Sequence, residues 1–256
     1  MHDTRTHPFA PWATTYAARV STVRSALVVT AHPDDVDFGA AGTVATWTGH
    51  HNITVSYCVC TSGEASGDGS PGMAATREAE QRAAAAHVGV DDVTFLGYPD
   101  GAVVPSLELR RDITRVIRRV RPDRVLTWSP EINWDFVPTT HPDHRAVGEA
   151  AFAAVYPDSR NPYAHRSLLE DEGLEPWTVS ELWLADGPVH LRNHAVDITD
   201  TFDKKMAALR SHTSQAGATS DEIEDALRQG LGAVAARFGL GDGRLAESFQ
   251  VVDTSR

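Results

Sequence analysis

The sequence predicts an α/β fold: a Rossmann-like, mostly parallel sheet with helices on both faces and an irregular C-terminal part that completes the site. Three observations lead there. Strand-length apolar runs alternate with helical patterns through the first half of the chain, the signature of a parallel sheet covered on both sides. The opening run is apolar throughout, as a buried strand requires. The length, 256 residues, lets a single core bury roughly 70–75% of the unfolded chain's surface, so no disulfide framework is needed.

The elements follow in order. Ala26 to Ala31 (ALVVTA) is the opening strand, β-branched at its centre and ending at His32. A helical segment runs from Gly42 to about Trp47 and is interrupted by Gly49. Ile53, Val55, Tyr57 and Val59 alternate with Thr54, Ser56, Cys58 and Cys60 to give a second strand. Ser62 to Gly72 is polar and glycine-rich, with the composition of a functional loop. An alanine-rich helix from about Met73 to Val88 stops at Gly89, a natural residue for the position just past a helix. Val93–Leu96 is a third, short strand. Ser106 caps a helix whose apolar face is Leu109, Ile113, Val116, Ile117 and Val120, and Pro122 ends it. Arg124–Trp128 is a fourth strand. Regularity then falls: a helix from about His144 to Tyr156, a loop-rich stretch, strands near Ser180–Ala185 and Val196–Ile198, and helices near Thr201–His212 and Glu222–Phe238. No repeat, low-complexity tract or linker divides the chain, so residues 1–256 are read as one domain.

Composition narrows the function. Cys58 and Cys60 face the same way along a strand and are poorly placed to bond each other, so they read as small buried hydrophobes. No apolar stretch approaches the ~18 residues of a membrane span. The first 20 residues lack the charged-then-apolar order of a secretory signal. A cytoplasmic, reducing setting is therefore the expectation. The formal charge of −12 argues against a polyanion such as nucleic acid. The expected partner is a small-molecule substrate, with no nucleic acid and no membrane, and a homo-oligomer is compatible with the chain.

Two of the histidine groups stand apart from the rest. His32-Pro33-Asp34-Asp35 follows the first strand, and His141-Pro142-Asp143-His144 opens a helix after the fourth. Ligands of parallel sheets bind beyond the carboxyl ends of the strands, and both clusters project there. Each pairs imidazole with carboxylate, the donors zinc prefers besides thiolate. A catalytic zinc site takes three protein ligands and keeps one position open; two histidines and a carboxylate would supply that set. Pro-Asp and Asp-Asp after a strand are also ordinary turn and capping chemistry, and it is the second cluster at a matching strand end that tips the reading to function. The glycine-rich stretch has neither a dinucleotide fingerprint nor a phosphate-binding lysine, which removes a nucleotide-dependent enzyme.

The run from Thr30 to Thr43 (TAHPDDVDFGAAGT) resembles the opening motif of the PIG-L/LmbE-like N-deacetylases. The resemblance continues in order through Thr61-Ser62-Gly63-Glu64, Arg77 with Glu78 and Glu80, Leu96 to Gly101, and His141 to Arg145. It ends in Val196-Asp197-Ile198 with Lys205, His212, Ser214 and Gln215. It covers about residues 25–215 and leaves 1–24 and 216–256 unmatched. It implies one zinc per chain, with iron(II) as a substitute, held by His32, Asp35 and His144. It further implies Asp34 as general base, His141 as oxyanion-stabilising or proton-donating group with Asp143 as its orienting partner, and Arg77 and Asp100 as substrate contacts. Val36 departs from members that carry an acid there; Asp37 supplies the acid of another subset. The implied activity is removal of the N-acetyl group from an N-acetylglucosamine-type conjugate. The alternatives are an amidase acting on mycothiol-type thiol conjugates and a non-catalytic sugar- or metal-binding module. Asp34 beside a full ligand set speaks against the last, since a binder has no use for an unliganded base.

Overall fold

The computed structural model describes residues 23–66, 71–215 and 221–255. The signal-peptide reading of the N-terminus and the middle of the glycine-rich stretch, residues 67–70, lie outside the described residues. Strands β1 (Ser25–Thr30), β2 (Thr54–Thr61), β3 (Asp92–Tyr98), β4 (Arg124–Trp128), β5 (Glu181–Ala185), β6 (His194–Asp197) and β7 (Ala246–Asp253) form a sheet in the order β3-β2-β1-β4-β5-β7-β6. The pairs among β1 to β5 are parallel, and β7 is antiparallel to both β5 and β6. The helices are α1 (Asp35–Gly39), α2 (Ala41–His50), α3 (Met73–His87), α4 (Leu107–Val120), α5 (Pro142–Val155), α6 (Arg166–Glu170), α7 (Phe202–Leu209) and α8 (Asp221–Arg237).

Period-two side-chain alternation sends successive strand residues to opposite apolar layers. Val28, Tyr57 and Leu126 pack with Val44, Trp47 and Ala84 on one face. Leu27, Val29, Cys58 and Cys60 pack with Ile113, Ile117 and Val147 on the other. Both cysteines are free and buried, as their spacing predicts. On α4 the face Leu109, Ile113, Val116 and Ile117 is buried, and the Ser106 hydroxyl accepts the Leu109 N–H at 3.2 Å.

What positions the site is the place of β1 between β2 and β4. The order reverses there, and in such sheets a crevice opens beyond the carboxyl ends of the strands. Two elements differ from the sequence reading. The helical segment expected from Gly42 to about Trp47 is the single helix α2, which runs through Gly49 to His50 without interruption, and the short helix α1 at Asp35–Gly39 precedes it. Strand β7 was not anticipated, because Glu247 and Ser248 are buried polar residues that break its apolar pattern. Glu247 is buried for a local reason: its carboxylate accepts Gly42 N–H at 3.2 Å and Thr43 N–H at 2.7 Å at the start of α2. Lys205, itself fully buried, lies 2.8 Å from it.

Candidate active site

The carboxyl ends of β1 and β4 bring the two histidine clusters together. The rings of His32, His141 and His144 lie 5.1–5.4 Å apart, centroid to centroid. Each offers a ring nitrogen within 4.8 Å of the others, a group able to hold a metal ion. Helix α5 starts earlier than expected because His141 caps it, with Pro142 in the first turn. The His141 Nδ1 accepts the Asp143 backbone N–H at 3.2 Å. A neutral ring accepting at Nδ1 carries its proton on Nε2.

Asp35 divides its two oxygens. Oδ2 accepts the Ala31 N–H (3.0 Å), the His32 N–H (2.8 Å) and the Trp128 Nε1–H (3.2 Å). Oδ1 faces His144 Nε2 at 3.0 Å and His32 Nδ1 at 3.6 Å. One oxygen is thus saturated by three donors and the other is aimed between two imidazoles. The Trp128 ring also stacks on His144, at 5.1 Å and 16°. Only glycine leaves room for it at position 39, where a Cβ would sit 2.5 Å from the indole. The sequence reading missed this role of Trp128, which looks like the last apolar residue of a strand.

The second His32 nitrogen, Nε2, lies 3.0 Å from Asp100 Oδ1 and 3.2 Å from Asp143 Oδ2. Asp143 therefore differs from its expected part. Its carboxylate serves His32 and the backbone N–H groups of Gly101 (2.8 Å) and Val103 (3.2 Å), and only its main chain touches His141. The first turn of α5 turns the Asp143 side chain inward beneath His32, where it is 1% exposed. Asp100, expected to contact substrate, is also engaged by protein: its Oδ2 accepts the Ala65 N–H at 3.0 Å.

Asp34 sits at φ 85°, a left-handed conformation costly for a non-glycine residue. A buried chain holds it there. Its N–H donates to Gln81 Oε1 at 2.7 Å, Gln81 Nε2 donates to Asp37 Oδ2 at 3.0 Å, and His212 Nε2 meets the same oxygen at 2.8 Å. His212, which the sequence left without a role, is thereby part of the support of Asp34. Arg77, expected as a substrate contact, is 4% exposed and turned toward Asp34. Its NH2 donates to Asp34 Oδ2 (3.1 Å) and Pro33 O (2.6 Å), and its NH1 to Gly63 O (3.0 Å) and Ser66 Oγ (2.8 Å). Gly63, at φ 66°, crosses so close over the guanidinium that any Cβ would collide with it.

The charges are strongly perturbed, as at sites of chemistry. Burial and the neighbouring Asp35 charge push the Asp34 carboxyl up to about 7, against the opposing pull of Arg77 and His212. Burial works against a charged His32, yet the carboxylates of Asp35, Asp100 and Asp143 hold its imidazolium up at about 9. Burial likewise opposes ionised Asp35, and His144 and His32 outweigh it, keeping that carboxyl well below its usual range. Burial and the positive fields of His32 and His144 lower His141, which keeps it neutral. Two imidazole nitrogens and one carboxylate oxygen converge, each braced from behind by a carboxylate, a carbonyl or N–H donors: His32 by Asp100 and Asp143, His144 by Thr139 O at 3.3 Å, and Asp35 by its three donors. That donor set fits a divalent cation of the zinc type.

A model of the PIG-L family, described as GlcNAc-PI de-N-acetylase, matches residues 27–155, the stretch that holds both histidine clusters. The chain belongs to the PIG-L family. This PIG-L protein is 30% identical over 222 residues to the probable N-acetyl-alpha-D-glucosaminyl L-malate deacetylase 2 of Bacillus anthracis, covering 81% of this chain and 88% of that one. It is also 30% identical over 197 residues to the diacetylchitobiose deacetylase of Thermococcus kodakarensis, covering 75% and 70%. The structure of N,N'-diacetylchitobiose deacetylase from Pyrococcus horikoshii superposes with a TM-score of 0.78 at 26% identity, covering 97% of this chain and 96% of that one. As a PIG-L protein the chain is a member of a family of deacetylases, and its mixed, mostly parallel sheet is the fold of that family. Among the described residues no helix is long and apolar enough to cross a membrane.

Proposed function

We propose that the chain hydrolyses the acetamide of an N-acetylglucosamine conjugate, with one zinc ion held by His32, Asp35 and His144. The relatives named above, which act on N-acetylglucosaminyl malate and on diacetylchitobiose, support the substrate class. The division of the Asp35 carboxylate supports the ligand set: Oδ2 is occupied by three donors, and Oδ1 lies between the two imidazoles. When bound, the cation supplies Lewis acidity at the acyl carbonyl and acidifies the attacking water. Iron(II) suits the same nitrogen and oxygen donors.

The chain's own groups do the rest. Asp34 lies beside the ligand set without belonging to it, and with its proton affinity near neutrality it takes the proton of the attacking water. That single placement carries the reading of a hydrolase. Arg77 orients the Asp34 carboxylate and tunes its basicity. His141, with Nδ1 occupied by the Asp143 N–H, presents Nε2–H to the developing oxyanion, a donor typically worth about 3–4 kcal/mol. The protonated Asp34 then returns its proton to the leaving amine nitrogen. Asp143 and Asp100 fix the orientation of His32 through its Nε2.

Paired substitutions test this division. Asp35→Asn should lower zinc content and activity together. Asp34→Asn should keep the zinc and lose roughly 10²–10⁴ in kcat, the usual worth of a positioned base. His141→Ala should keep the zinc as well; loss of zinc there would make His141 the third ligand in place of Asp35. Loss of zinc in Asp34→Asn would remove Asp34 as the base.

A further inference from the structure

Beside the ligand residues Asp35 and His144 opens a cavity of about 820 Å³. It lies between α8 and the loop that follows β4. The methyl of an acetyl group fills a small part of such a space, since whole drug-sized ligands occupy cavities of ~300–1,000 Å³. What remains must take the part of the substrate attached to the amine. The walls are apolar: Phe38, Phe136, Val189, Ile223, Leu227 and Leu231. The face of α8 that lines it also packs, through Ile223, Leu227 and Leu231, on the buried cluster of Ile198, Phe202, Met206 and Leu209, so the wall has a firm backing. Of the lining residues Phe136 is 58% exposed, and its chain neighbours Trp134 and Val137 are 78% and 58% exposed, so the loop after β4 carries apolar surface open to solvent. Exposed apolar surface of this kind marks a binding site.

The polar lining is sparse, and much of it is engaged. Asn133, Asp135, Asp186 and Arg192 also line the cavity and can meet the hydroxyls of one sugar ring. Arg192 donates Nε–H to Gly187 O at 3.0 Å and lies 3.9 Å from Asp186 Oδ1, so its charge is already shared. An anionic aglycone would face Asp135 and Asp186 instead of an unshared cation. A polyhydroxylated one would leave hydroxyls unbonded against leucine and phenylalanine, which costs free energy.

We infer that the conjugate this enzyme deacetylates carries a neutral apolar aglycone, an alkyl or aryl group, seated against α8. The inference rests on the deacetylase reading above, and the experiment separates the two. The zinc-loaded protein is assayed on the methyl and octyl glycosides of N-acetylglucosamine, with amine release as the readout. Each fully buried methylene gives about a factor of 4 in affinity, so half-complete burial of the additional methylenes raises kcat/KM on the order of 100-fold. In Gly230→Phe, at a cavity-lining position where a Cβ meets nothing within 4 Å, the octyl-to-methyl ratio should fall at least ~10-fold. Equal kcat/KM for the two glycosides overturns the inference. So does a gain that follows the length of an N-acyl chain instead, because the cavity would then hold the acyl end. Should no glycoside release amine, the deacetylase reading fails by itself. Titration with octyl and methyl glucoside, which lack the amide, then decides the cavity: equal affinity overturns the inference, and an octyl preference of that size supports it.

Discussion

Replacing Arg77 by methionine separates two parts the residue could play, tuning Asp34 or gripping substrate. The guanidinium lies 3.1 Å from Asp34 Oδ2, and both side chains are largely enclosed, at 4% and 17% exposure. It is the strongest influence holding the Asp34 carboxyl down, against burial and Asp35, and the balance leaves it at about 7. An opposite charge at somewhat longer range moves a carboxyl by ~1–3 pH units, and at this distance partial screening still leaves at least the lower figure. Arg77→Met should therefore shift the acid limb of the pH–rate profile upward by ~1–3 units. Activity at neutral pH should drop by roughly 5- to 500-fold, as the ionised fraction of Asp34 falls, and recover as pH rises. Arg77→Lys, which keeps the charge without the two-pronged donor, should shift the limb less. The measurement is kcat and KM across pH, with zinc content and thermal unfolding confirming a folded, loaded protein. A raised KM with an unmoved acid limb would refute the tuning argument and make Arg77 a substrate contact.

Two further predictions concern what holds the site in place. Lys205 is fully buried and bonds Glu247 (2.8 Å), Asp37 O (2.9 Å) and Phe38 O (2.6 Å), tying α7 to β7 and α1. Lys205→Met should cost about 3–5 kcal/mol by stranding the Glu247 charge, and Lys205→Met with Glu247→Gln should recover part of it, read by urea unfolding. His194 packs edge-on to Trp183, and burial together with the nearby Arg124 charge lowers it to about 4. A depressed folded value means the unfolded chain binds the proton first, so this stability is present above pH ~6.5 and lost as pH falls toward about 4. The loss should reach roughly 2–3 kcal/mol and vanish in His194→Phe, as followed by the urea midpoint against pH.

Much of the sheet was legible because buried parallel strands announce themselves. Ala26–Thr30 and Arg124–Trp128 had to be strands, and the clusters after them had to converge at their carboxyl ends. Helix α4 was legible down to its Ser106 cap. What escaped the sequence were contacts made across long separations. β7 hides because Glu247 is polar for the sake of Lys205 and the first amides of α2, all distant in the chain. The Asp143 carboxylate could be assigned to the wrong histidine because the turn of α5 that points it at His32 appears only in three dimensions. Trp128 and Gly39 look like ordinary apolar and small residues until the stacked indole is seen. The Asp34–Gln81–Asp37–His212 chain joins α1 to α3 and to the segment just past α7, and no local pattern marks it.

The central claim is tested most directly by amine release from a panel of N-acetylglucosamine conjugates, using protein stripped of metal and the same protein reloaded with one equivalent of zinc. The account predicts no release from the stripped protein, and release from at least one conjugate that rises with zinc and saturates near one ion per chain. Release that is indifferent to chelation, or none from any conjugate by fully loaded protein, would contradict it.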